Sequence, residues 1–211
     1  MKKFIKIFFL DLLYFSLFLI IIFLSRAKIQ KLFANIQSYT PQLNLINSTI
    51  ENQNLISQIN SQVTYSYLFI FILIPLLIFA VYILLQGCSF YILKKEKNHF
   101  VKFTLVSLPT FIFFTLLMFN YNFYLLIITL LSSYYAFYSY YKNNLKLILR
   151  KSYKYFPLCL AYLILSLLSI IFLFLSFLSI STKTNYILIF ISLAIIFLFS
   201  YYKIFLIKLF N

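Results

Sequence analysis

The stretch SRAKIQKLFANIQSYTPQLNLINSTIENQNLISQINSQV, Ser25 to Val63, is the one long polar segment in a chain that otherwise reads as hydrocarbon. A segment of this kind belongs in water, so the apolar runs on either side of it belong in something else. Its own pattern is helical. Ile29, Leu32, Phe33 and Ile36 fall on one stripe of a helix over 27–39. Thr40-Pro41 is expected to stop that helix, because proline donates no N–H and pushes the preceding residue out of the α region. Ser48-Thr49-Ile50-Glu51 has the form of a capping box, and Leu55, Ile56, Ile59 and Val63 follow at helical spacing. Arms over 27–39 and 49–63 would each reach about 20 Å. They predict an antiparallel helical hairpin.

Outward from that segment the apolar runs begin. The chain has 211 residues, 64% of them hydrophobic and 10% charged, whereas a soluble domain is about a quarter charged. That balance excludes a water-soluble fold. Residues 7–24, 67–93, 103–119, 123–141, 157–179 and 186–202 read as six membrane spans. The first lacks a small-residue cleavage site after it and reads as an uncleaved signal anchor. Pro75 and Pro109 are expected to bend the second and third spans, and Pro157 to stand in the first turn of the fifth. The expectation is an all-α polytopic membrane protein with six transmembrane helices and an external helical hairpin between the first and second. Its organisation would be a signal-anchor helix over 1–25, the hairpin over 26–64, and a five-helix bundle over 65–211.

The net charge of +15 could suggest nucleic acid, but its placement argues for a membrane. Six crossings put both termini on one side. With them lie Lys2, Lys3, Lys6, Lys94, Lys95, Lys97, Lys102, Lys142, Lys146, Arg150, Lys151, Lys154, Lys203 and Lys208. Only Arg26, Lys28, Lys31 and Lys183 lie on the other side. Fourteen against four places the termini in the cytoplasm and the hairpin outside the cell membrane.

Few residues could carry chemistry. Asp11 is the only acid within a span, and Lys203 lies at similar depth in the last span, so an intramembrane Asp11–Lys203 ion pair is expected. A lone carboxylate makes a poor proton relay, which favours a structural pair. Lys142, Lys146, Arg150 and Lys154 recur every four residues, a basic stripe suited to anionic lipid headgroups and to topology signalling. Gly87, the single glycine, and Ala80 share a helix face suited to close packing. Gln86 is expected to hydrogen-bond a neighbouring helix. Ser166, Ser169, Ser176 and Ser179 share a broad face of the fifth span, expected to pack. Cys88 and Cys159 read as small apolar fillers. Asn47-Ser48-Thr49 is a glycosylation-type triplet.

The remaining inventory is thin. His99 reads as part of a basic turn, and one histidine with two distant cysteines cannot build a zinc site. Three acids, Asp11, Glu51 and Glu96, leave most hydrolytic and transfer chemistry without its parts. No cofactor is expected. The reading is a non-catalytic anchor or accessory subunit whose partners are the bilayer and a protein met through the hairpin. The alternative is a permease-type subunit: one span, an external segment and five more spans is similar in topology to some ABC-exporter permease halves.

Overall fold

The computed structural model describes residues 2–45, 49–119, 122–141, 145–182 and 186–210. Among these the chain is helical, in the order α1 (Lys2–Leu45), α2 (Thr49–Leu68), a π-helical turn (Phe69–Leu73), α3 (Ile74–Lys94), α4 (His99–Phe119), α5 (Phe123–Tyr141), α6 (Leu145–Thr182) and α7 (Tyr186–Phe210). Among the described residues five helical stretches are long and apolar enough to cross a membrane: Lys2–Tyr39, Gln53–Lys94, His99–Leu117, Phe156–Ser176 and Ile187–Leu206. A shorter apolar stretch, Phe123–Ser133, lies in α5.

Two prolines do less than the sequence reading expects. α1 runs through Thr40 and Pro41 and ends at Leu45. Pro41 stands little more than a turn from that end, where the missing N–H removes one hydrogen bond from a helix 44 residues long. Pro157 lies inside α6 and not in its first turn, because the basic segment before it is itself helical and continuous with the span. Pro75 has a different consequence. Proline clashes with the carbonyl four residues back and offers that carbonyl no N–H. Just before it the helix widens, and the Ile74 N–H donates to the Phe69 carbonyl five residues back. The π turn Phe69–Leu73 is how this helix accommodates Pro75 without breaking.

The chain forms two compact units, Ile20–Phe79 and the combination of Met1–Leu19 with Ala80–Asn211. These breaks follow packing, whereas the 26–64 division follows polarity.

In the larger unit, aromatic rings fill the spaces between helices. Phe90, Phe103 and Leu206 form one buried cluster with Tyr82, Leu158, Tyr162 and Tyr202 against it. Phe15, Ile196 and Phe199 form a second, flanked by Leu12, Tyr14, Tyr162 and Leu165. Phe15 meets Phe199 edge-on at 5.3 Å, and Tyr162 lies 4.9 Å from the same ring. Polar atoms tie α6 to α7. Ser176 Oγ donates to the Leu188 carbonyl (2.7 Å), and the Tyr202 hydroxyl donates to the Leu158 carbonyl (2.9 Å).

A four-residue turn, 95–98, joins α3 to α4. Lys95 and Asn98 both take positive φ, 48° and 58°, a conformation asparagine tolerates better than most side chains. Glu96 bridges the turn, 3.0 Å from Lys94 Nζ and 3.0 Å from Lys102 Nζ.

In the smaller unit, the α1 segment lies antiparallel to α2. Lys28 Nζ sits 4.4 Å from the centroid of Phe69 and 5.5 Å from that of Tyr65. Leu32 and Asn35 share a groove with Ser61, Gln62 and Tyr65.

Candidate functional site

The chain buries two opposite charges together. Asp11 and Lys203 are both fully buried, and Lys203 Nζ lies 2.5 Å from Asp11 Oδ1. Helix registry brings them to one depth. Asp11 is nine residues from the start of α1, while Gln86 and Ser89 precede the end of α3 by eight and five residues. Ser200 and Lys203 form an i, i+3 pair near the end of α7. Two such pairs, each near the end of a helix antiparallel to α1, therefore meet Asp11 near the start of α1.

The donors of the lysine are all used. The Lys203 ammonium has three N–H groups, which donate to Asp11 Oδ1, to Gln86 Oε1 at 2.7 Å and to Ser89 Oγ at 3.1 Å. Gln86 Nε2 donates to Asp11 Oδ1 at 3.1 Å, and Ser200 Oγ donates to Asp11 Oδ2 at 2.7 Å. Phe90 and Phe199 place ring faces 5.0 and 4.9 Å from the ammonium, and cation–π attraction supports a desolvated cation. Ile7 and Phe15, four residues before and after Asp11, and Ile196, four before Ser200, are each nearly or fully buried.

Taking two ions out of water costs several kcal/mol each, and their attraction offsets this only when the remaining lone pairs and protons are also satisfied. The ammonium meets that condition here, and each Asp11 oxygen accepts at least one hydrogen bond. The cluster is neutral as a whole, and the ammonium keeps no spare donor for a ligand.

Of the residues named from the sequence, Asp11, Lys203 and Gln86 are thus brought together. Ser89 and Ser200 are the members that sequence reasoning missed. Their signal was spacing: each stands three residues from a polar residue already singled out.

Gly87 is buried against α4. A Cβ there would lie 3.0 Å from Phe100 Cε1 and 3.5 Å from Phe103. Ala80 is exposed, which corrects the expectation of a shared packing face. It faces the same way but stands about 10 Å farther along the axis, beyond the rings that cover Gly87.

His99 is corrected too. It is not a solvated turn residue: it opens α4, is buried, and its Nε2 lies 2.8 Å from the Gly87 carbonyl. The Phe103 ring stacks on it at 6.0 Å, and Tyr91 meets it edge-on at 5.4 Å. Ser169 and Ser176 are buried on the packed side of α6.

Cys88 is a free thiol. Lys146, Arg150 and Lys154 lie on helical backbone in α6, but their side chains, Lys142 and Asn47 lie outside the described residues. Among the described residues no three His, Cys, Asp or Glu side chains gather as metal ligands would.

Fold and cluster together define the class: an integral membrane protein built as a helical bundle around a buried ion pair. No family model, curated protein or solved structure matches the chain.

Proposed function

We propose that the protein is a non-catalytic membrane anchor or accessory subunit. It crosses the cell membrane six times, keeps both termini in the cytoplasm, and offers the hairpin around α1 and α2 to a protein partner outside. The observation that carries this reading is the saturation of the Asp11–Lys203 cluster. A site that binds and releases a substrate or proton keeps some valence open, and here each N–H of the ammonium is already spent within the protein.

Three further points support it. α5 has 19 residues, about 28 Å of helix, which is close to the apolar thickness of a bilayer. The lysine and arginine imbalance favours the stated orientation. In the polar segment, Phe33 and Ile56 are 52% and 49% exposed, and large apolar side chains exposed to water mark contact surfaces.

The test is photo-crosslinking in intact cells, with the crosslinking residue placed at Phe33, Ile56, Leu105 or Leu131. All four positions are exposed. Discrete protein adducts from the first two positions and lipid adducts from the last two are expected. Lipid adducts alone from Phe33 and Ile56 would overturn the partner role.

A further inference from the structure

The pairing of α1 with α2 has an unusual chemistry. On α1, Lys28, Lys31, Leu32 and Asn35 follow i, i+3, i+4, i+7 spacing and occupy one face. On α2, Ser61, Gln62 and Tyr65 occupy the facing stripe, and Phe69 continues it into the π turn. Two helices would ordinarily close such a seam with apolar side chains. These enclose an open groove of about 450 Å³ lined by Leu32, Asn35, Ser61, Gln62 and Tyr65. Lys28 holds its ammonium over the Tyr65 ring at the edge of that groove.

Among the described residues no carboxylate forms an ion pair with Lys28 or Lys31. Glu51, the only acid in the α2 sequence, is ten residues from Ser61, about 15 Å along the axis. Lys28 at the edge of an amide-lined and hydroxyl-lined groove, with Lys31 on the same face of α1 by spacing, makes a receptor for an oxyanion. Lysine binds phosphate as a point charge, and the amides of Asn35 and Gln62 can serve its ester oxygens or a polyol.

The height of the groove says which oxyanion. Leu24, one turn before Lys28, is 67% exposed. On the other helix, Tyr67 and Leu68 are 60% and 52% exposed beside the groove-lining Tyr65. The exposed apolar surface at the lower rim is a bed for acyl chains. Along the helix axis, Lys28 and Lys31 stand about 6 and about 10 Å above Leu24, at headgroup level. We propose that the groove between α1 and α2 binds the headgroup of an anionic phospholipid, with Lys28 and Lys31 against the phosphate and the acyl chains along Leu24 and Leu68. This holds in whichever leaflet the groove lies, so it stands apart from the orientation proposed above.

The test uses the full chain, purified in mild detergent, delipidated, and titrated by native mass spectrometry with phosphatidylglycerol, phosphatidylcholine or inorganic phosphate. Phosphatidylglycerol is expected to bind at least about 10-fold more tightly than phosphatidylcholine, and millimolar phosphate is expected not to displace it. Each lysine near a lipid phosphate is worth about a 5-fold change in affinity, so Lys28→Gln with Lys31→Gln should weaken binding about 30-fold. Helicity by circular dichroism should be unchanged. Lys2→Gln with Lys3→Gln should leave binding as it was. Ser61→Leu, which keeps both lysines and fills the groove, should also abolish the preference. Equal binding of the two lipids, an equal loss in the Lys2/Lys3 variant, or displacement by phosphate would each overturn the assignment.

Discussion

Lys203 and Lys28 each place an ammonium about 5 Å from two aromatic rings, yet their surroundings differ in one respect. Lys203 is fully buried and has Asp11, Gln86 and Ser89 as acceptors. Lys28 is exposed and has the rings of Tyr65 and Phe69. Rings suffice for a cation that water still reaches. A cation sealed from water needs a counter-charge and a full set of acceptors, because its hydration is lost entirely. The contrast also explains why one lysine is a lock and the other is free to serve a ligand.

The largest effect expected is on the sealed lysine. Asp11→Asn strands Lys203 and should cost about 3–5 kcal/mol, read as a lower thermal midpoint in detergent. If Asp11→Asn instead left stability intact while a transport activity was lost, the permease alternative would replace the anchor reading. Asp11→Leu with Lys203→Met removes both charges, and most of that loss should return, since buried pairs exchange for apolar residues at little net cost.

Next in size is Gly87→Ala. A methyl 3.0 Å from the Phe100 ring must displace that half-exposed side chain, at about 1–3 kcal/mol. Phe100→Leu in the same background should recover stability, because the strain is confined to that contact.

The exposed lysine should matter much less. Lys28→Met should cost about 0.5–1 kcal/mol, the usual worth of an exposed cation–π contact. A loss as large as that of Asp11→Asn would erase the distinction between the two lysines.

The smallest effect concerns Glu96. Partial burial pushes its carboxyl up, but hydrogen bonds and charge from Lys102 and Lys94 outweigh that and hold it below the ordinary carboxylate range. A carboxylate with a lowered folded value contributes stability above its unfolded value and loses it as pH falls through the lowered one. The pair is partly solvated, so the contribution is about 1 kcal/mol or less. Thermal midpoints of wild type and Glu96→Gln should differ slightly at pH 7 and converge at acid pH.

Much of the architecture was legible in the chain because lipid is a demanding solvent. Uninterrupted apolar runs, polar turns and a helical period mark the helices without reference to tertiary structure. The bounds of α5 follow directly from the runs on either side of Asn120-Tyr121-Asn122. Helix ends in polar sequence were less legible. Thr40-Pro41 reads as a stop, but a helix already many turns long tolerates one lost hydrogen bond near its end. Asp11 and Lys203 could be paired from the sequence by elimination, since each was the rare charge at its depth. Ser89 and Ser200 could not, because serines abound on these helices and only three-dimensional registry selects two of them. The burial of His99 was hidden for the same reason: its acceptor is a backbone carbonyl, which no side-chain pattern announces.

The distance between Asp11 and Lys203 along the chain has a consequence for assembly. They are 192 residues apart, whereas the contacts that close the α3–α4 turn, such as Gly87 with His99, span 12. Short-range hairpins can zip up during synthesis, but a bond between α1 and α7 must wait for α7. The Asp11 carboxylate of α1 therefore has no ammonium beside it until α7 has been made. The pair makes the early helix wait on the late one: without α7, the acid of α1 would be left buried and uncompensated.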